Sequence, residues 1–150
     1  MTLGQQQQQI GLIWGAMLST VAVYGVVCAL AVRSAAVGAV VDAMWIRYGC
    51  SAAGVVLGAL SVWWQRHFLA TDPLPPIVLG FAQMQRHGIV VWVLSEAVGI
   101  CGVVTAFLLH DAHEYIPFGA AAAALLLLHR PSNLPWGRLA SLELQPDESP

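Results

Sequence analysis

One carboxylate lies alone in a long apolar stretch of this sequence. Glu96 is the only charged residue between Arg86 and Asp111, and Ser95 precedes it. An ionised carboxylate in apolar surroundings costs several kcal/mol, so we expect Glu96 to be protonated, hydrogen-bonded or paired. Glu96, with Ser95 as a hydroxyl neighbour, is therefore a candidate proton or ion site. The alternative is a neutral glutamic acid that fixes helix register or pairs with a partner's arginine.

A second group of polar side chains follows this stretch, at His110, Asp111, His113 and Glu114. Imidazoles three residues apart can meet on one helical face, and with Glu114 they could ligate a metal ion. The spacing is not that of zinc proteases, whose two histidines lie four residues apart. A polar turn at a membrane interface explains the same residues. We expect no cofactor.

The composition excludes an ordinary water-soluble domain. Of 150 residues, 58% are apolar and 9% are charged, whereas soluble domains carry about a quarter charged residues. Six arginines and no lysine against eight acids give a formal charge of −2, which excludes a nucleic-acid binder with a basic face. No phosphate loop, nucleophile elbow or carboxylate pair is present, so we expect no enzymatic activity. The solvent that suits this chain is the lipid bilayer.

Hydropathy predicts an all-α, polytopic transmembrane helical bundle between residues 10 and 130. The first apolar run has 23 residues, and at about 1.5 Å per residue it can cross the ~30 Å hydrocarbon core. The fourth run is short, and a re-entrant segment is the alternative to a short crossing. The predicted spans are 10–32, 38–64, 88–109 and 116–128. They are preceded by a polar, glutamine-rich lead-in over 1–9 and followed by a proline-containing acidic tail over 131–150.

The arginines predict the orientation of the chain. With four crossings, four of them share one side of the membrane with both termini: Arg66, Arg86, Arg130 and Arg138. Arg33 and Arg47 lie on the other side. Because cytoplasmic loops carry the excess of basic residues, both termini are predicted to be cytoplasmic.

Small residues recur at helical spacing along each span and predict close helix packing, because helices in lipid associate where small residues let backbones approach. These seams could equally bind other subunits or copies of the chain. The residues are Gly11, Gly15 and Ser19 in the first span, Gly54 and Gly58 in the second, and Gly99 and Gly102 in the third. A shift of 77 residues also aligns 25–29 with 102–106, which raises the possibility of a parallel duplication of two hairpins.

The stretch from Trp92 to Leu109 resembles the carboxylate helix of the rotor-ring proteolipids of ATP synthases and V-type ATPases. In that family a mid-helix Glu or Asp is followed by small and apolar residues, including a glycine. The resemblance implies that Glu96 corresponds to the ion-carrying carboxylate, with Ser95 as a hydroxyl neighbour.

Two functions follow as expectations. The first is a non-enzymatic accessory or assembly subunit of a membrane complex or homo-oligomer, which packs through small-residue seams. The second is a proteolipid-like subunit that translocates a proton or another ion on Glu96. The expected partners are the lipid bilayer and other membrane subunits or copies of the chain.

Overall fold

The protein is described here by a computed structural model that covers residues 3–34, 43–71 and 77–133, with side chains over 4–32, 44–67 and 85–132. Every regular element in these ranges is helical: α1 (Leu3–Ser34), α2 (Ala43–Thr71), α3 (Ile77–Leu109) and α4 (Tyr115–Leu128), with single 3₁₀ turns at Ala112–Glu114 and Pro131–Asn133. The predicted all-α helical bundle is thereby confirmed. Three helices are long and apolar enough to span a membrane, over Gly4–Val32, Met44–His67 and Gln85–Leu109.

α1 and α3 begin before their predicted spans. α1 begins at Leu3, so the glutamines from Gln5 to Gln9 belong to its first turns. Glutamine is a good helix former, and its side chain stays hydrated when the helix projects beyond the hydrocarbon. α3 begins at Ile77, well before the predicted start at 88. Residues 38–42 of the predicted second span and 134–150 of the predicted tail lie outside the described residues.

α3 is the central helix of the bundle. It packs against α1, α2 and α4, whereas α1 and α2 make little contact with each other. The apolar spanning segment of α3 is 44% buried, whereas those of α1 and α2 are each 11% buried. A helix that is apolar on all sides suits this position, because every face can meet a neighbour. α3 therefore holds Glu96 within reach of side chains from the other helices.

The chain leaves α3 through a Schellman motif. The amide of Asp111 donates to the carbonyl of Ala106 at 3.1 Å, and the amide of His110 donates to the carbonyl of Phe107 at 3.4 Å. His110 takes the left-handed conformation, with φ of 54°, that glycine usually adopts in this motif. The turn reverses the chain, so that α4 runs back along α3.

α4 is the shortest of the four α-helices: its 14 residues extend about 21 Å, compared with the ~30 Å hydrocarbon core of a bilayer, and its crossing stays a prediction. Its C-terminal end lies beside Trp92, about 10 Å along the spanning segment from Gln85. Carbonyls at the end of a helix need donors when water is absent. Two indoles supply them, since Trp14 Nε1 donates to Leu126 O at 2.8 Å and Trp92 Nε1 donates to His129 O at 2.8 Å.

A duplication of two hairpins would make α2 and α4 equivalent, but α2 has 29 residues and α4 has 14. A shift of 77 residues would place the counterpart of α2 over 120–148, whereas α4 ends at Leu128. Most of that range lies outside the described residues, so the duplication stays a prediction.

Candidate functional site

Glu96 lies near the middle of the α3 span, at about 17 Å from its Gln85 end and about 20 Å from its Leu109 end. Its side chain is partly buried and faces α1. The hydroxyl of Tyr24 donates to Glu96 Oε1 at 3.2 Å. One carboxylate oxygen therefore has a donor from a neighbouring helix. The residue as a whole is partly exposed at the surface of the bundle.

Ser95 points away from Glu96, toward the end of α4. Its hydroxyl donates to the carbonyl of Val91 at 2.8 Å and lies 3.4 Å from Nδ1 of His129. Nε2 of His129 is buried and has no hydrogen-bond partner among the described residues. The structure thus brings Ser95 together with His129, not with Glu96.

Tyr115, at the start of α4, fills a space made by glycines from three helices. A Cβ atom on Gly25 of α1 would lie 3.1 Å from its ring, one on Gly102 of α3 would lie 3.2 Å away, and one on Gly119 would lie 2.6 Å away. Its hydroxyl donates to the carbonyl of Val21 in α1. Tyr115 therefore joins α1, α3 and α4, and only hydrogen atoms on these glycines leave room for its ring.

Four of the seven candidate packing residues lie at contacts within the chain. A Cβ atom on Gly54 would lie 3.3 Å from Phe118, and one on Gly58 would lie 3.4 Å from Leu125. These two glycines bring α2 toward α4. The other two lie where α3 meets α4: a Cβ atom on Gly99 would lie 3.4 Å from Ala122, and one on Gly102 would lie 2.5 Å from Phe118 Cβ.

The three remaining packing candidates lie four residues apart along α1. Among the described residues, a Cβ atom built on Gly11 or on Gly15 would meet nothing within 4 Å. Ser19 is exposed, and its hydroxyl donates to the carbonyl of Gly15 in its own helix at 2.8 Å. We call Gly11, Gly15 and Ser19 the open α1 face.

An apolar groove of about 530 Å³ lies between α2 and α4. These helices both pack against α3 but make few contacts with each other, which leaves the gap. Gly54 and Gly58 line one wall, and Phe118 and Leu125 line the other. The groove offers apolar surface and small residues, with Ser51 as the polar residue among those that line it.

The polar residues after α3 serve the turn. His110 occupies the left-handed position of the Schellman motif, and Asp111 accepts a hydrogen bond from the amide of His113 at 2.9 Å. Glu114 forms an ion pair with Arg47 of α2, and Arg47 Nε donates to Glu114 Oε1 at 2.9 Å. Across the described part of the chain, no three His, Cys, Asp or Glu side chains gather in a way that could hold a metal ion.

Sequence reasoning missed three residues of this site. Tyr24 and Trp14 lie in the first apolar run. Their polar atoms could have indicated contacts with other helices, because a buried Tyr hydroxyl or Trp N–H usually finds a partner. His129 directly follows the predicted span 116–128. Its burial beneath Trp92 and Ser95 depends on where α4 stops, and no local pattern reveals that.

The chain was compared with known proteins by sequence and by structure, and no protein family model, curated protein or solved structure matches it.

Proposed function

We propose that this protein is a non-enzymatic membrane subunit whose open α1 face packs against the same face of a second copy. The observation that carries this proposal is that no described residue lies within 4 Å of a Cβ atom on Gly11 or Gly15, in a helix of spanning length. Such a face is self-complementary, because two glycine-lined helices related by a two-fold axis can approach closely along their whole contact.

The chemistry of the open α1 face supports helix association in lipid. Lipid tails are as apolar as leucine, so helices gain little from burying apolar side chains and more from close packing of backbones. Ser19 already donates to Gly15, so burying this face would leave no unsatisfied hydroxyl donor. The glycines also lower intrinsic helix stability, and close contact with a partner would offset that cost.

Energy transfer between fluorophores on the N-termini tests the proposal, with the protein reconstituted in phosphatidylcholine vesicles at a series of protein-to-lipid ratios. Wild-type protein should self-associate as the ratio rises. Gly11→Leu/Gly15→Leu should weaken association about tenfold or more, because the new side chains hold the helices apart.

Gly49→Leu is the matched control, since Gly49 is an exposed helical glycine with nothing within 4 Å of its Cβ position on α2. It should self-associate like the wild type. A wild-type chain that stays monomeric at every ratio would refute the proposal. So would an equal loss of association in both variants.

Proton or ion translocation on Glu96 is the second candidate function. It is favoured by the position of Glu96 near the middle of the span and by its incomplete burial. Tyr24 of α1 donates a hydrogen bond to one carboxylate oxygen of Glu96, so a polar partner is already present at this depth.

A hydrophobic carbodiimide tests this second function, because it modifies protonated carboxyl groups that it reaches from lipid. Glu96 should react and Glu114 should not, since Glu114 is ion-paired to Arg47 at the helix ends. Glu96→Gln should abolish ion flux in vesicles. Full flux in Glu96→Gln, or no reaction at Glu96 in the wild type, would exclude this function.

A further inference from the structure

Aromatic and imidazole rings cluster where the end of α2 meets the beginning of the α3 span. Trp64 Nε1 donates to His87 Nδ1 at 3.0 Å, which joins the two helices. On α2, Trp63 stacks on His67, with ring centroids 5.3 Å apart and planes 7° apart. Trp63 is 55% exposed, so its indole lies on the outer surface of the bundle. We call these four residues the aromatic end.

The aromatic end marks a membrane boundary. The spanning segment of α2 ends at His67, and that of α3 begins at Gln85. Tryptophan favours this depth, because its ring is apolar and its N–H needs a polar partner. The exposed indole of Trp63 is therefore placed at the level of the lipid headgroups.

Two arginines lie at the same depth as the aromatic end. Trp64 faces His87 across antiparallel helices, so Arg66 and Arg86 lie at depths that differ by about one residue rise, or about 1.5 Å. Both side chains are exposed. Arg66 follows Trp63 by three residues, so the two lie on one exposed side of α2.

Acidic side chains are absent from this end in the ranges that the structure describes. The carboxylates there are Glu96, Asp111 and Glu114. Glu96 is about 15 Å along α3 from Arg86, and the other two lie beyond the opposite end of α3. At that opposite end Arg47 is neutralised by Glu114. Within these ranges, the end of the bundle that carries Arg66 and Arg86 therefore holds basic side chains without a carboxylate.

We propose that Arg66 and Arg86, together with the exposed indole of Trp63, bind the headgroup phosphates of anionic phospholipids at this boundary. Each arginine supplies charge and paired N–H donors for a phosphate, and the indole lies against the glycerol and upper acyl region. A lipid is the occupant that fits, because the arginines and the exposed tryptophan lie together at the boundary of two spanning helices.

Native mass spectrometry of the full chain in a neutral detergent tests this inference, with phosphatidylglycerol and phosphatidylcholine added separately. Wild-type protein should retain phosphatidylglycerol in preference to phosphatidylcholine. Arg66→Gln/Arg86→Gln should lose about 30-fold in affinity for phosphatidylglycerol, or about fivefold for each arginine. Arg47→Gln is the matched control and should bind like the wild type. Circular dichroism should show unchanged helicity in both variants.

Three outcomes would overturn the inference. The first is equal retention of the two lipids by the wild type. The second is unchanged affinity in Arg66→Gln/Arg86→Gln. The third is a rise in the wild-type melting temperature with inorganic phosphate that equals the rise with phosphatidylglycerol, since that would show a site for free phosphate. None of these outcomes bears on self-association through the open α1 face, which is tested separately.

Discussion

Replacing Gly102 by alanine should destabilise the bundle by pushing α4 away from α3. A Cβ atom at this position would lie 2.5 Å from Phe118 Cβ and 3.1 Å from Phe118 Cγ. Carbon atoms in contact normally lie about 3.5–4.0 Å apart, so the overlap is about 1 Å. Phe118 Cβ is attached directly to the backbone and cannot rotate away. The helix itself has to move, and Tyr115 and Phe118 move with it.

The size of the effect follows from a comparison with Gly49→Ala. Both substitutions replace an α-helical glycine, and both gain about 1 kcal/mol of helix propensity. A Cβ atom on Gly49 meets nothing within 4 Å. Because the propensity gain is common to both variants, their difference isolates the packing cost, which for an added methyl group in a tight core is about 1–3 kcal/mol.

Unfolding in mixed micelles measures this difference. The protein is titrated with sodium dodecyl sulfate, helicity is followed by far-ultraviolet circular dichroism, and the free energy of unfolding is extrapolated to zero denaturing detergent. Gly49→Ala should unfold at a higher mole fraction of sodium dodecyl sulfate than Gly102→Ala. Equal free energies of unfolding in the two variants would refute the close approach of α3 and α4 on which this reasoning depends.

Three further predictions concern the ends of helices. Trp14→Phe or Trp92→Phe removes one indole donor from the end of α4. Each change should cost about 1 kcal/mol and speed amide exchange in the last turn of α4, as hydrogen–deuterium exchange would detect. His110→Gly should raise the free energy of unfolding by up to about 1 kcal/mol, because glycine adopts a φ of 54° without strain. Arg47→Gln should cost less than about 1 kcal/mol, since the Arg47 side chain of the pair with Glu114 is 54% exposed, and this cost should shrink in high salt.

The fold class could be predicted because it depends on composition and run length. Uninterrupted apolar runs of spanning length require helices, and the end of α3 at Leu109 coincides with the change to His110 and Asp111 in the sequence. The start of α1 could not be predicted from hydropathy, because Gln5 to Gln9 are polar and yet helical. Hydropathy indicates whether a segment is surrounded by water or by lipid, whereas helix formation also depends on the intrinsic helix propensity of its residues.

The contacts of the candidate site depend on tertiary packing and were beyond sequence reasoning. The sequence indicates Glu96 as a candidate because a lone carboxylate in an apolar run is unusual. Tyr24, which donates a hydrogen bond to Glu96, is 72 residues away in the chain and could not be predicted. Small residues at helical spacing look alike in every helix. Gly102 meets Phe118, whereas Gly15 meets nothing, and only the positions of the neighbouring helices distinguish them. The roles of Glu96 and the open α1 face remain predictions.

The capping of α4 by two indoles has a consequence for assembly. The donors come from two different helices, since Trp14 lies on α1 and Trp92 lies on α3. The carbonyls at the end of α4 are therefore capped only when α1 and α3 both lie beside it, which couples the packing of these three helices.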